Sequence, residues 1–341
     1  MSGGPRVIHT GQALIDAVIE VPTLPARGQN VMATSITRYA GGSVNVLLAA
    51  ARSGAAGVQA GSVGTGPNGD LIRAALAAEG VAVCSPPIAD LDSGVCVVMV
   101  EPSAERTFVT TLGAERHLTV ASLATSEPAA GDLVCVSGYT LVMPQTRDPL
   151  LAFLGRLAPG VVVVLDPGAP FAALPPAIRD AMLATTHVWT SNLDEARGFV
   201  RTGHPGRVDE RGIATMDRAA LAVGALLPGA VVIVRDGPKG CALVRDGELV
   251  VAAGFPQTPV DTNGAGDCHT GVLLAEVAAG RDWAEAAPVA ESSNATQRDG
   301  STPSNLQARR YRSGAGLGRA CLLYTSPSPR DGHLSRMPSS A

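Results

Sequence analysis

The run Val161-Val162-Val163-Val164-Leu165 offers no polar side chain to water. A strand of that kind must be covered on both faces, and a parallel sheet between two layers of helices provides such cover. The same texture returns at 133–136, 188–190 and 230–234, while 148–157, 176–184 and the stretch from 193 onward read as helices. Strand and helix in alternation predict a doubly wound, mostly parallel α/β sheet with helices on both faces. Ligands then gather beyond the carboxyl ends of its strands. With 46% apolar but only 3% aromatic residues, Ala, Val, Leu and Gly must fill the interior.

Four segments stand apart from this alternation. Residues 14–21 and 31–39, with 95–101 and 106–111, are rich in Val, Ile and Thr and form a small antiparallel β layer. Asp16 interrupts the first of them although Asp is depleted in strands. A solvent-facing edge and a ligand contact both account for it.

A formal charge of −4 and few aromatic rings argue against a nucleic-acid surface. The six cysteines include no C-x-x-C pair, and the six histidines show no metal-site spacing. The cysteines therefore read as small core residues in a reducing compartment. No apolar leader or membrane-length run occurs, so a cytoplasmic protein that engages no membrane is expected.

Chemistry concentrates in Asp261-Thr262-Asn263-Gly264-Ala265-Gly266-Asp267. Beyond it Val272, Leu273, Ala275 and Val277 have the spacing of a buried helical face, which puts residues 264–267 at a helix N-terminus. Free N–H groups and the positive end of the dipole favour a phosphate there. Glycines at 264 and 266 let the backbone approach it. Asp267 then stands where it can accept a proton from an attacking hydroxyl. Its free pKa is about 3.9, and the helix terminus is expected to favour the anion further, making it a weak ground-state base. Phosphoryl transfer tolerates that, because its proton leaves late. Earlier in the chain, Gly41-Gly42-Ser43-Val44-Asn45 precedes a small-residue helix, where Asn45 can both donate to and accept from a polyol.

These stretches resemble the ribokinase-like (PfkB) family of carbohydrate kinases, over about residues 7–305. The resemblance implies a single kinase domain spanning 1–305, with the β layer as a lid over the sugar and a surface for a homodimer. It implies ATP-dependent phosphorylation of a hydroxyl on a sugar or nucleoside. Asp267 would be the base, with Gly264, Ala265 and Gly266 as the anion hole. Asp16, Gly41, Gly42 and Asn45 would hold the acceptor. The family's Asn-x-x-Glu falls on Asn192 and Glu195, linked to Mg2+ through water, and the same residues form a helix-capping pattern. Its nucleotide-wrapping turn, usually Thr-x-Gly-x-x-Gly, falls on residues 235–240 and matches at Gly237 and Gly240. Asp261 and Thr262 would lie in a loop that holds a monovalent cation such as K+ in many members. The pattern departs at Ser43 or Val44, where the family has a smaller residue, and at 291–300, which is more polar.

Two other readings stay open. Gly64-Thr65-Gly66-Pro67-Asn68-Gly69 is a formal G-x-G-x-x-G after a strand, with Asp90 beyond it, as an NAD-dependent oxidoreductase would carry. A sugar-binding regulator of low turnover would keep the fold with an altered C-terminal region. His269, two residues past Asp267, reads as lining a pocket or capping the helix start. From Leu306 the chain loses apolar periodicity and residues 321–331 resemble translated adapter sequence, so 306–341 are expected to be disordered.

Overall fold

The computed structural model describes residues 4–103, 105–203, 210–254 and 264–293. In chain order the strands and helices begin with β1 (Arg6–His9), β2 (Ala13–Glu20), β3 (Ser35–Gly42), α1 (Ser43–Arg52), β4 (Ala56–Gln59), α2 (Pro67–Ala78) and β5 (Ala82–Val83). The chain continues through β6 (Val95–Val100), β7 (Arg106–Thr111), α3 (Val120–Ala124), β8 (Leu133–Ser137), α4 (Pro144–Leu154), β9 (Val162–Asp166) and α5 (Pro176–Leu183). Then come β10 (Val188–Asn192), α6 (Leu193–Gly203), α7 (Met216–Leu226), β11 (Val231–Arg235), β12 (Gly240–Arg245), β13 (Glu248–Ala253), α8 (Ala265–Ala278) and α9 (Trp283–Ser293).

The large sheet has nine strands in the order β13-β12-β11-β10-β9-β8-β1-β4-β5. Ladders from β11 to β5 are parallel, and β12 and β13 are added antiparallel at one edge. The continuous apolar runs have a direct cause here, because successive residues enter different cores. Val7, Cys135, Val188 and Ile233 pack with α1, α8 and α9 on one face. Ile8, Val134, Trp189 and Val234 pack with α4, α6 and α7 on the other. Fully burying each Val or Leu contributes about 1.5–3 kcal/mol. Among the few aromatics, Phe171, Trp189 and Phe199 cluster in the second core, with Trp189 and Phe199 centroids 4.7 Å apart.

The second sheet runs β3-β2-β6-β7. Its outer ladders, β2–β3 and β6–β7, are antiparallel, while the central β2–β6 ladder is parallel. β3 begins at Ser35 rather than near 31 and continues into Gly41 and Gly42. α4 starts earlier than its apolar spacing suggests, because Pro144 sits at its first turn. No helix among the described residues is long and apolar enough to cross a membrane.

Candidate active site

The N-terminus of α8 is built as a cradle of backbone amides. Gly264 takes a left-handed conformation, φ 71°, that an L side chain rarely adopts. Cys268 N–H donates to Gly264 C=O at 2.8 Å, so the amides of Ala265, Gly266 and Asp267 precede the helix ladder. The N-cap position itself, a glycine, has no side chain with which to cap them.

α1 delivers Asn45 to this point. The two helices approach closely because Gly271 of α8 faces α1, where an added Cβ would stand 2.6 Å from Ala49 Cβ and would also press on Val46 O. Asn45, 3% exposed, donates from Nδ2 to Asp267 Oδ2 at 3.0 Å. Gly42, φ 66°, lets β3 turn straight into α1, with its position packed against Gln12 O. On the lid, Asp16 is 8% exposed, and its carboxylate lies over Gly41, leaving no room there for a Cβ. The lid thus turns Asp16 inward, and the solvent-facing edge reading does not hold for it.

The carboxyl ends of β9, β10 and β11 supply the rest. Arg235 closes β11 and is 9% exposed. Its Nη1 donates to Gly266 O and, at 3.4 Å, to Thr270 Oγ1, while Nε donates to Ser191 O at 3.3 Å. Its Nη2 pairs with Asp166 Oδ2 of β9 at 3.4 Å. At the start of α6, Asn192 N–H donates to Glu195 Oε2 at 2.9 Å and Glu195 N–H to Asn192 Oδ1 at 2.8 Å. The predicted capping box is therefore formed, and it holds the Glu195 carboxylate close to its own helix start.

Electrostatics reverse one expectation. Asp267 has a partly open edge, yet burial raises its pKa to about 7, with the charges of Asp166 and then Asp16 adding to the rise. The Asn45 hydrogen bond and Arg235 oppose it without prevailing. Glu195 is likewise raised to about 7, by burial first and Asp166 second. Burial raises Asp166 too, against Arg235. The helix terminus alone would have lowered Asp267; burial first, with the carboxylates brought by β9 and β2, outweighs it.

The other residues singled out in the sequence fall as follows. Gly237 and Gly240 both have positive φ, 51° and 98°, in the β11–β12 connection. Gly237 is exposed, and Gly240 lies against the backbone at Gly254. Lys239 pairs at 2.8 Å with Asp236 on the surface. Asp261 and Thr262 lie outside the described residues, as do 294–341 with the altered loop and the tail. His269 neither lines a pocket nor caps the helix start: it is 0% exposed and faces Glu291 of α9. In the glycine-rich turn before α2, Asp92 accepts N–H bonds from Asn68 at 3.1 Å and Gly69 at 2.9 Å. Gly66 packs on the same carboxylate. The anion position a pyrophosphate would take is filled by this side chain, which argues against the dinucleotide reading.

Arg235 is the member of this arrangement that sequence reasoning missed; Asp166 shows in the sequence at a strand end, where a site wall and a simple turn account for it equally. A charged residue closing the apolar run 230–234, where the family carries Thr, was the available signal.

Residues 5–307 match the model of the pfkB family carbohydrate kinases. The chain belongs to that family. Among proteins similar to this kinase is YegV of Escherichia coli, described as an uncharacterized sugar kinase. It is 29% identical over 282 residues, covering 82% of this chain and 84% of YegV. An adenosine kinase structure from Sinorhizobium meliloti superposes with a TM-score of 0.73 at 19% identity, over 86% of this chain and 93% of that one. An Arabidopsis thaliana ribokinase complexed with ribose and ATP gives 0.68 at 22%, over 86% and 92%. These structural likenesses bear on the kinase's fold: a large, mostly parallel sheet with helices and a smaller sheet beside it.

Proposed function

We propose that this enzyme transfers the γ-phosphoryl group of ATP to a hydroxyl of a sugar or sugar-like acceptor, nucleosides included. One observation carries the reading: the Asp267 carboxylate is held by Asn45 at the start of α8, where the N-cap residue is a glycine. The acceptor oxygen bonds to the γ-phosphorus as the bond to the bridging oxygen breaks, releasing ADP, and the hydroxyl proton passes to Asp267. The amides of Ala265, Gly266 and Asp267 face the charge that develops on the moving group. Asp16, Gly41, Gly42 and Asn45 bind the acceptor, and Gly237 and Gly240 border the nucleotide. A pKa near 7 suits Asp267 to its role, since a base is most effective near working pH.

Asp166 and Glu195 repel one another electrostatically, and Arg235 offsets only part of that charge. Hard oxygen donors with excess negative charge fit Mg2+. Glu195, with Asn192 and waters, would hold the ion, which when bound would neutralise phosphate charge. The K+ assignment rests on Asp261 and Thr262, outside the described residues. The lid carries exposed Ile36, Phe108 and Val109, which favours its use as a homodimer surface, and the reading is of a cytoplasmic enzyme.

ADP release, measured against pentoses, hexoses and nucleosides with and without potassium, tests this function. Turnover with one acceptor class, lost in Asp267→Asn, is expected. Tight sugar binding by calorimetry without ADP would instead support a regulator on the same fold. An undiminished rate in Asp267→Asn would refute the role of the base.

A further inference from the structure

Behind the α8 terminus three side chains of metal-ligand type meet in the core. Cys241 of β12, His269 of α8 and Glu291 of α9 bring their ligand atoms within 4.8 Å of one another. His269 Nε2 stands 3.1 Å from Glu291 Oε1. All three are buried, with 0% of Cys241, 0% of His269 and 6% of Glu291 exposed. Although Glu291 Oε1 stands close to Nε2, neither ring nitrogen of His269 has a hydrogen-bond partner among the described residues. A fully buried imidazole in that state is rare in a native core and asks for an explanation.

We propose that Cys241, His269 and Glu291 form a binding site for a divalent transition-metal ion of the zinc class, tying α8 and α9 to strand β12. The donor set of sulfur, nitrogen and one oxygen is wrong for Mg2+ or Ca2+, which take oxygen ligands, and right for a borderline-soft ion. In tetrahedral zinc sites with bonds of about 2.0–2.3 Å, ligand atoms stand roughly 3.3–3.7 Å apart. The His269–Glu291 separation is already near that range. One thiolate, one carboxylate and one neutral imidazole balance a divalent ion. Binding would release the Cys241 proton to solvent, as metal-bound thiols are deprotonated. Three protein donors leave one coordination position, which a water can fill. The site stands apart from the proposed transfer chemistry and does not depend on the kinase reading.

The full chain, produced without a polyhistidine tag, is analysed by inductively coupled plasma mass spectrometry, then stripped with a chelator and titrated with Co2+. About one zinc per chain is expected, with a thiolate-to-cobalt charge-transfer band that saturates near one equivalent and a rise in thermal midpoint on adding Zn2+. Cys241→Ser should abolish the band with unchanged circular dichroism. If that variant does not fold, Glu291→Gln carries the test, with affinity weakened at least about tenfold. Absence of both band and thermal shift in the wild type would overturn the site, as would unchanged Co2+ affinity in a folded variant. These readouts do not involve turnover, so either result leaves the kinase assignment to its own test.

Discussion

Asn45 and Asp267, 222 positions apart in the chain, meet through a single 3.0 Å hydrogen bond between α1 and α8. That contact joins the two motif-bearing segments of the sequence into one site. It depends on a helix crossing that Gly271 makes possible, and it leaves the proposed base tethered to a residue proposed to bind the acceptor. Much of the expected behaviour of the enzyme follows from the state of that carboxylate.

Asp267 must be ionised to take a proton, and its pKa stands at about 7, as does that of Glu195. Activity should therefore be lost as pH falls through 7. The kcat/KM profile is expected to be level above neutrality and to drop about tenfold per unit below it, more steeply if both groups must be charged. A profile already level from about pH 5, where an ordinary carboxylate would be ionised, would contradict the raised pKa.

The same shift acts on stability. A carboxyl group whose folded pKa exceeds its unfolded value binds protons more tightly when folded. Its contribution is present at low pH and is lost as pH rises from about 4 toward 7. Asp267→Asn removes this charge and keeps an acceptor for Asn45. Discounted for the partly open edge, the gain above neutrality is about 1 kcal/mol, roughly 2–4 °C in Tm, and near zero at about pH 4. Differential scanning calorimetry at both pH values would check it. An inactive but more heat-stable variant is the expected outcome.

The fold was legible because runs such as 161–165 and 230–234 record two-sided burial directly, one core per face. α7 was not, since its buried face is Ala219, Ala220 and Val223, small residues that barely stand out from their neighbours. Asp16, Asn45 and Asp267 could be singled out from their motifs. Arg235 showed only as a charge closing an apolar run and Asp166 only as a strand-end turn residue; their part in the site comes from the side-by-side order of β9, β10 and β11, which no local stretch encodes. The pKa of Asp267 went the wrong way for the same reason: its helix terminus is local, whereas the packing that buries it, and after that Asp166 and Asp16, come from distant elements. The meeting of residues 241, 269 and 291 likewise has no local spacing to betray it.

Gly271→Ala should separate the helix crossing from the chemistry. Its new methyl would stand 2.6 Å from Ala49 Cβ and press on Val46 O, so α1 must shift. Overpacking of this kind costs about 1–3 kcal/mol. Because the shift moves Asn45 away from Asp267, acceptor KM should rise and the acid limb of the pH profile should move upward. Gly271→Ala combined with Ala49→Gly, which relieves part of the contact, should recover some of both losses.

Arg235 supplies the cationic charge that Asp166, Glu195 and Asp267 all feel, and its guanidinium also holds the Gly266 carbonyl at the cradle. Arg235→Gln removes the charge while keeping a hydrogen-bond donor. Loss of one such electrostatic group at a transfer site costs about 10²–10³ in kcat, and the three carboxyl pKa values should rise together, carrying the acid limb to higher pH. Arg235→Lys tests which property matters: it restores the charge but not the forked geometry that spans Gly266, Ser191 and Asp166. Recovery of the pH limb by Lys with kcat still low would assign the limb to charge and the rate to positioning of the α8 start. A fall in rate with an unmoved limb in Arg235→Gln would mean that the guanidinium only props up the backbone.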